Sequence, residues 1–507
     1  MSSIKILSLD DLEKTARELR SEGKRVVMCH GTFDLMHTGH IRHLQRAKRE
    51  GDVLLVTVTG DAYVNKGPGR PVFREELRVE TLAALACVDF VAINFDQTAI
   101  NAISRLRPHV YVKGSEYRAA MDDVTGNIER ERQAVEACGG EIFYTDEITF
   151  SSSSLLNEHF GVFSPEIKDY LQTFRKAYGY KDVINLVKGL ARLKVLVVGD
   201  AIIDQYWYIK MLGQVGKGNS LAVKYESEEQ FIGGSIAVAN HLAGFADNVT
   251  LVTGLGKIET HEPFIRSKLL PNVTPAFFYI DDAQTVTKRR FVDHDLNKLF
   301  EVYFFNEEPL LDGVEDAACT WLEANLEDFD VVIVPDFGNG FISRNMIEVL
   351  CRKARFLAVN TQLNSGNRGH HVVSRYPRAD FASINEPELR LAAHNRLDPI
   401  ELVAETIGQT IKSGHIAVTR GTEGVMFKDR KLGVTHYVPA LSTKVLDRVG
   451  AGDAFLALAG LCLGGGVRSE VAAYVGSVAA ALDVQIVCNR EPVSSVGLFK
   501  YITTLLK

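Results

Sequence analysis

Short apolar runs alternate with segments of helical spacing in the first part of this chain, and this alternation limits the possible fold more than any other feature. The apolar runs of strand length occupy residues 26–29, 53–58, 88–93 and 109–112. The segments of helical spacing occupy residues 9–22, 41–50, 74–86 and 99–106. Strands and helices in this order predict a doubly wound α/β sheet, whose ligands bind beyond the carboxyl ends of the strands.

The length and composition of the chain narrow its class. A chain of 507 residues is too long for one ordinary hydrophobic core and indicates two or more domains. The net charge of −7 argues against nucleic acid as a partner. The seven cysteines have no paired spacing, so we expect neither a zinc site nor a disulfide framework. With no signal peptide and no apolar run of membrane-spanning length, we expect a cytoplasmic protein without a membrane partner.

Two histidines, His37 and His40, stand where the first predicted strand passes into the next helix. A helix start that follows a parallel strand binds anions, because free backbone N–H groups and the positive end of the helix dipole meet there. Imidazoles at this place can donate hydrogen bonds to phosphate oxygens as negative charge develops. The pattern indicates displacement at a nucleotide phosphorus, in which positioning matters more than a covalent nucleophile. The alternative is a pair of surface histidines.

The stretch from His30 to His40 contains a Phe-Asp step followed by His-x-Gly-His and resembles the signature of the cytidylyltransferase-like nucleotidyltransferases. The resemblance covers residues 1–162 and implies a Rossmann-like domain. It also implies that His37 and His40 are catalytic. By the same resemblance, the nucleotide-binding residues of this stretch are Gly31, Thr32, Phe33 and Asp34.

Three further segments extend this resemblance. Lys113-Gly114 with Glu116 is similar to a motif of the heptose adenylyltransferases, in which an aspartate replaces Glu116. Lys66 and Arg70 follow the second strand and are expected to contact a triphosphate, the alternative being two solvated loop charges. A run of serines matches the phosphate-contacting turn of that family, although serines at a helix start are often only caps. These serines are Ser151, Ser152 and Ser153.

A second decisive stretch lies far downstream and reads Gly450-Ala451-Gly452-Asp453. The two glycines let the backbone approach an anion closely, and their N–H groups form a nest at the start of the next helix, which is predicted from Ala454 to Leu463. Asp453 would then lie beside a transferred phosphoryl group and accept the proton of an attacking sugar hydroxyl. The alternative is a glycine-rich turn that an aspartate caps.

This stretch resembles the C-terminal signature of the ribokinase-like sugar kinases of the phosphofructokinase-B family, and the match covers residues 191–507. The resemblance implies a ribokinase-like α/β sandwich that uses ATP with Mg²⁺. It places the sugar contacts at Asp204, Gly233, Gly234 and Asn240. It places the ATP and anion contacts at Asn385, Glu388, Thr419, Gly421, Gly424, Gly450, Ala451 and Gly452. Glu388 is also expected to help place magnesium indirectly, although Asn385 and Glu388 could form only a helix cap.

The segment between the two halves, residues 163–190, contains few motifs and has mostly helical spacing. We therefore expect three parts: a nucleotidyltransferase domain of residues 1–162, a helical linker of residues 163–190 and a kinase domain of residues 191–507. Together, the two halves resemble the bifunctional heptose kinase/adenylyltransferases, but in those proteins the kinase half comes first.

The kinase half also departs from that family at positions expected near the sugar. Asn339 replaces a lysine, Asn360 begins a segment that replaces Asp-Pro-Lys, and an arginine near Phe300 is missing. A group of three neighbouring cations could compensate for these losses. These cations are Lys288, Arg289 and Arg290. The departures leave the identity of the sugar open.

The leading hypothesis is a bifunctional enzyme of nucleotide-sugar synthesis. One half would phosphorylate a sugar or sugar phosphate with ATP, and the other would transfer a nucleotidyl group from a nucleoside triphosphate to a sugar 1-phosphate. A heptose-like sugar and AMP transfer are favoured by the resemblance. An alternative is a cytidylyltransferase that uses CTP and a polyol phosphate, fused to a polyol or sugar kinase. An alternative of another class makes one half a degenerate binding or oligomerisation module, and a homo-oligomer stays open.

Overall fold

A computed structural model of the chain describes residues 5–64, 70–96, 98–114, 127–145, 163–306, 310, 312–367, 369–442 and 444–507. The chain divides into two compact units. The first unit contains Met1–Ser164 together with Phe499–Lys507, and the second contains Pro165–Leu498. The expectation of two α/β domains is confirmed, while the domain limits given above stay a prediction.

The first unit is built on a parallel sheet. Its strands are β1 (Val26–Gly31), β2 (Val53–Thr59), β3 (Phe90–Asn94), β4 (Val110–Gly114) and β5 (Glu141–Thr145). Its helices are α1 (Leu9–Ser21), α2 (Thr38–Lys48), α3 (Glu75–Ala83), α4 (Ile100–Leu106) and α5 (Asn127–Ala137). The strand order is β3-β2-β1-β4-β5. The order reverses between β1 and β4, and ligands of open α/β sheets bind at such a reversal.

Helix α2 begins at Thr38, earlier than the predicted start at Ile41. His37 is its N-cap, because Nδ1 of His37 accepts a hydrogen bond from the N–H of Gly39 at 3.1 Å. The apolar period that predicted the helix marks only its buried face and gives no sign of the polar turn before it. As a result, His37 precedes the helix and His40 lies in its first turn.

The second unit is built on a larger sheet with nine strands. These are β6 (Lys194–Val198), β9 (Asn248–Ile258), β10 (Val273–Gln284), β13 (Val331–Asp336), β14 (Leu357–Thr361), β15 (Phe381–Asn385), β16 (His415–Thr419), β17 (Val425–Asp429) and β18 (Val434–Val438). Their order is β10-β9-β6-β13-β14-β15-β16-β17-β18; β17 runs antiparallel to both of its neighbours, β16 and β18, and the other pairs are parallel. The core strands are apolar and buried on both faces, as the sequence pattern predicts.

A separate four-stranded sheet stands beside the carboxyl ends of these strands. It consists of β7 (Ala201–Gln214), β8 (Leu221–Gly233), β11 (Val286–Val292) and β12 (Lys298–Phe304), in the order β12-β11-β7-β8. Strands β7 and β11 run parallel, and β8 and β12 pair with them in antiparallel fashion. We call this sheet the lid sheet.

The helices of the second unit precede, connect and follow these strands along the chain. They are α6 (Pro165–Ala177), α7 (Tyr180–Lys188), α8 (Gly234–Ala243), α9 (Glu262–Lys268), α10 (Asp312–Asn325), α11 (Arg344–Lys353), α12 (Glu386–Ala392), α13 (Ile400–Thr410), α14 (Ala451–Gly464) and α15 (Ser469–Asp483). A last helix, α16 (Ser495–Leu506), ends the chain. In the described part of the chain, no helix is long and apolar enough to cross a membrane.

Helices α6 and α7 occupy the segment expected as a linker, and both belong to the second unit. The ring of Phe174 stacks on that of Tyr474 with 4.4 Å between centroids. Leu171, Val183 and Val187 are also buried. These helices therefore bury apolar side chains as part of the second unit and do not form an exposed tether.

We predict that Phe174→Ala lowers the free energy of unfolding of the second unit by about 3 kcal/mol, because a buried aromatic ring is replaced by a cavity. Denaturant unfolding followed by fluorescence measures the change. Leu402→Ala, at an exposed position of α13, is the control, and we expect it to change the free energy of unfolding by no more than about 0.5 kcal/mol. Equal effects of the two substitutions would show that α6 contributes nothing to the stability of this unit.

Candidate active sites

The two predicted catalytic histidines lie together at the carboxyl edge of the first sheet. The ring centroids of His37 and His40 are 4.0 Å apart. Since Nδ1 of His37 accepts the Gly39 N–H, the proton of the neutral ring lies on Nε2. That Nε2 atom is buried and has no hydrogen-bond partner among the described residues. Burial lowers the pKa of His37, so the neutral ring is available to donate through Nε2.

Asp34, a predicted nucleotide contact, forms hydrogen bonds with the backbone of another loop. Its carboxylate is buried, and Oδ1 accepts hydrogen bonds from the N–H groups of Val72 at 2.7 Å and Phe73 at 3.0 Å. Oδ2 lies 3.6 Å from Nη1 of Arg70, whose side chain is also buried. The buried Arg70 guanidinium therefore lies beside Asp34, whereas the sequence predicted a loop cation that contacts a triphosphate.

The remaining predicted nucleotide contacts fall into two groups. Lys113 and Gly114 end β4, next to β1 at the reversal of strand order, and Lys113 pairs with Glu131 at 2.8 Å. Gly31 ends β1, and Phe33 has a positive φ of 48° in the loop that follows. Several predicted residues lie outside the described part of the chain. They are Lys66, Glu116, Ser151, Ser152 and Ser153.

An arginine that the sequence analysis missed connects the loops of this site. The Arg78 side chain is fully buried on α3. It donates hydrogen bonds to the carbonyl oxygens of Thr32 at 2.6 Å, Thr59 at 2.9 Å and Phe73 at 2.9 Å, and to the carboxylate of Asp61. One guanidinium thus fixes the segments after β1 and β2. The signal in the sequence was a cation beside the apolar Val79 and Leu82 on the face of a helix.

The second unit contains a cavity of about 750 Å³ at the carboxyl ends of the large sheet, below the lid sheet. It brings together residues that are far apart in the sequence. The predicted site residues among its lining are Asp204, Asn385, Glu388, Thr419, Gly450, Gly452 and Asp453. The cavity therefore collects the expected sugar, phosphate and base positions in one place.

Asp453 lies in the first turn of α14, which begins at Ala451 and not at the predicted Ala454. Gly450 precedes the helix with a φ of 103°, and a Cβ atom there would lie 2.4 Å from Oδ1 of Asn489. Gly452 has open space around its Cα. Burial raises the pKa of Asp453 to about 7, and the negative charge of Asp204 adds to this shift. The turn combines unblocked N–H groups with a carboxyl group that can take up a proton near neutral pH.

The predicted sugar contact Asp204 belongs to a buried cluster of charges on the lid sheet. Its carboxylate forms an ion pair with Arg290, and Nε of Arg290 also bonds to Glu301 at 3.0 Å. Lys288 lines the same cavity, and burial lowers its pKa against the opposing effect of Asp204. The backbone at Gly233 runs so close to Asp204 that a Cβ there would lie 2.3 Å from Oδ2.

Other residues that were predicted to contact a ligand also form a helix cap or a turn. Asn385 and Glu388 form a capping box at the start of α12, in which Oε2 of Glu388 accepts the Asn385 N–H at 3.2 Å. Oε1 of Glu388 accepts the N–H of Leu363 at 2.9 Å. Gly424, which has a φ of 81°, and Gly421 form the turn between β16 and β17, next to Thr419. Asn385 and Glu388 can cap the helix and also contact a ligand, since both residues line the cavity.

The structure does not bring Asn240 to the cavity. Asn240 is buried within α8, where its Nδ2 donates to the carbonyl of Lys268 at 2.8 Å and its Oδ1 accepts the N–H of Leu270 at 3.1 Å. Both functions of its carboxamide are used to hold the end of α9. Gly234, by contrast, sits at the start of α8 with a φ of 59°, beside the carbonyl of Asp200.

Comparisons with known proteins divide the chain in the same way. The model of the pfkB family of carbohydrate kinases matches residues 192–487, and a cytidylyltransferase-like model matches residues 28–158. The bifunctional protein HldE of Geobacter sulfurreducens is 40% identical over 140 residues, which are 27% of this chain and 27% of that protein. HldE of Geotalea uraniireducens is 41% identical over 143 residues, or 28% of each chain. The chain thus spans just over a quarter of the length of these relatives.

Among solved structures, the tetrameric inhibited form of phosphofructokinase-2 from Escherichia coli resembles this chain with a TM-score of 0.50 and 15% identity. The match covers 62% of this chain and 100% of that one. The same enzyme in complex with substrates and products matches with a TM-score of 0.50 and 14% identity. At this identity, the likeness concerns the fold of the second unit.

We predict that Arg78→Lys destabilises the first unit by about 2 kcal/mol or more. The three carbonyl oxygens are bonded by three different nitrogen atoms of Arg78, and the one nitrogen of a lysine cannot reach all of them. A buried carbonyl left unpaired costs about 1–3 kcal/mol. Thermal unfolding of the full chain measures the change, and exposed Arg42→Lys on α2 is the matched control. An Arg78→Lys protein as stable as the control would contradict the assigned role.

Proposed function

The chain belongs to the pfkB family of carbohydrate kinases, and from this premise we propose that it is a two-step enzyme of nucleotide-sugar synthesis. In this proposal, the second unit phosphorylates a sugar with ATP. The first unit, which is cytidylyltransferase-like, transfers a nucleotidyl group to a sugar 1-phosphate and releases pyrophosphate. The observation that carries the proposal is the cavity in which Asp453 and the Gly450 turn share a space with Asp204.

The kinase step follows from the groups in this cavity. The N–H groups at the start of α14 are directed to a transferred phosphoryl group, because they have no partner within the helix. Asp453 accepts the proton of the sugar hydroxyl as its oxygen bonds to the γ-phosphorus and ADP leaves. The lid sheet supplies Asp204 to orient the sugar, and Arg290 holds that carboxylate in place.

Both families generally use magnesium with the nucleotide. Among the described residues, no cluster of three or more His, Cys, Asp or Glu side chains could hold a metal ion by itself. This fits an ion carried mainly by nucleotide phosphates, with Glu388 as a nearby carboxylate whose oxygens also accept main-chain N–H groups. The bound ion would neutralise charge on the phosphates.

In the nucleotidyltransferase step, His37 and His40 would donate hydrogen bonds to the α-phosphate as pyrophosphate leaves. The Nε2 atom of His37 has no partner among the described residues, and this supports its role as a donor to the substrate. Lys113 ends the neighbouring strand and would add positive charge at the same edge of the sheet. Arg78 would fix the loop that leads to His37, through the carbonyl of Thr32, to the end of β2 at Thr59.

We expect AMP transfer to a heptose-like sugar 1-phosphate, because the first unit is similar to proteins named HldE and to the heptose adenylyltransferase motifs. The second candidate is CTP with a polyol phosphate, which the cytidylyltransferase-like family favours. Pyrophosphate release from ATP and CTP, each with heptose 1-phosphate and with glycerol phosphate, separates the two. Release with CTP and the polyol phosphate, and none with ATP and the heptose, would replace the first candidate by the second.

We predict that Asp453→Asn lowers sugar phosphorylation by about a hundredfold or more, because the amide cannot accept a proton. In the unaltered protein, the rate should fall as the pH drops below about 7, where the Asp453 carboxyl becomes protonated. A coupled ADP assay across pH measures both effects, with exposed Asp316→Asn on α10 as control. A flat pH profile together with full activity of Asp453→Asn would remove Asp453 from the mechanism.

We predict that His37→Ala and His40→Ala each slow nucleotidyl transfer by about a hundredfold, since each removes a donor directed at developing charge, worth about 3 kcal/mol. Sugar phosphorylation measured in the same preparations serves as the internal control and should stay unchanged. If either variant kept the full rate of pyrophosphate release, the assignment of this site would be wrong.

A further inference from the structure

A second cavity, of about 440 Å³, lies beside the first and has no part in the reactions described above. The same segments of the chain contribute lining residues to both cavities. At the start of β7, Ile202 lines the first cavity and Ala201 lines the second. In the loop after β13, Phe337 lines the first cavity and Asn339 lines the second. The second cavity is therefore adjacent to the reaction site.

The described lining of the second cavity combines apolar side chains with uncharged polar and acidic ones and contains no lysine or arginine. It includes the carboxylates of Asp200 and Asp282 and the carboxamide of Gln284. A third acid of the lining, Asp281, forms an ion pair with Lys257 at 2.5 Å. A phosphate placed here would face carboxylates of like charge, whereas sugar hydroxyls can donate hydrogen bonds to them.

The side chain of Asn339 supplies a hydrogen-bond donor in the lining of this cavity. Its Nδ2 atom is buried and has no hydrogen-bond partner among the described residues. The loop that carries it is held by Asp200, which accepts the N–H groups of Asn339 at 3.3 Å and Phe341 at 3.1 Å. A buried donor on a fixed loop is suited to an uncharged oxygen acceptor such as a hydroxyl group.

The cations of the first cavity do not compensate for this lack of positive charge. Arg290 is already paired with Asp204 and Glu301, and the Lys288 ammonium lies over the rings of Tyr303 and Phe337. Arg289, the third candidate in the sequence, bonds to Gln205 and lies over the ring of Trp207. In the described lining, this leaves Arg448, on the turn before α14, for the nucleotide.

We propose that the second cavity binds the end of the acceptor sugar that is remote from the reacting hydroxyl, and that this end carries hydroxyl groups and no phosphate. This inference rests on the kinase activity proposed above and names its substrate class, an unphosphorylated sugar with a polyhydroxylated tail. The product then carries one phosphate, at the hydroxyl that attacked. When that hydroxyl is the anomeric one, the first unit can use the product without a dephosphorylation step between.

The first test compares matched substrates with the full chain and ATP. ADP formation is measured with a seven-carbon aldose and with the same aldose phosphorylated at its terminal carbon. We expect kcat/KM to be at least about tenfold higher for the unphosphorylated sugar, since a cavity lined by acids rejects the second phosphate. A preference for the phosphorylated sugar would overturn the inference while leaving the kinase activity established.

Two substitutions connect this preference to the second cavity. Asn339→Lys should lower kcat/KM for the free sugar and raise it for the sugar phosphate, because a cation replaces the neutral donor. Asn339→Asp should lower use of both sugars and of the phosphate most. Asn248→Lys, exposed at the opposite end of the large sheet, is the matched control and should leave the ratio unchanged.

The outcomes separate the inference from the function on which it rests. Absence of ADP formation with any sugar would contradict the proposed kinase and the inference together. Phosphorylation with an unchanged ratio in both Asn339 variants, while Asn339→Asp remains folded by circular dichroism, would contradict the inference alone. A reversal of preference in Asn339→Lys would support it.

Discussion

Both candidate sites depend on the same constraint: a helix must begin beside the carboxyl ends of a sheet, so that the positive end of the helix dipole faces the site. In the first unit, β1 leads to α2, and His37 caps the helix through Nδ1 while Nε2 keeps its donor free of any described partner. In the second unit, Gly450 brings the chain to α14 in a left-handed conformation that only glycine adopts without strain. An anion is favoured at both places, because the start of a helix provides positive potential.

Around the second helix start, the protein concentrates buried carboxylates, and this has a chemical consequence. Asp453 and Asp204 lie close enough for the charge of Asp204 to raise the pKa of Asp453. The same burial that makes Asp453 a base near neutral pH would be unfavourable for Asp204, were it not paired with Arg290. The lid sheet and α14 thus place two acids in one cavity in different surroundings: Asp204 is paired with Arg290, and the pKa of Asp453 is raised.

The alternation of strands and helices in the first unit, as far as β4, could be predicted from the sequence, because a short continuous apolar run between turn residues is typical of a strand buried on both faces. The lid sheet of the second unit was not predicted. Helix starts were predicted less well: α2 and α14 both begin about one turn earlier than the apolar period indicates, since polar and glycine residues start a helix without joining its buried face. The contacts of Asn240 with the end of α9 could not be predicted, because an amide in an apolar helix gives no sign of whether it faces a ligand or a neighbouring helix end. Arg78 was missed since burial of an arginine depends on carbonyl groups from several loops.

The central claim is that one chain phosphorylates a sugar and then activates the product with a nucleotide. The most direct measurement supplies the full chain with a free aldose and ATP that carries an isotope label in the γ-phosphoryl group, and follows the products by mass spectrometry. The account predicts a nucleotide-activated sugar whose sugar-proximal phosphate carries the label, together with unlabelled phosphate at the adjacent nucleotidyl position. A labelled sugar phosphate that never enters a nucleotide sugar, although added sugar 1-phosphate is converted, would contradict it.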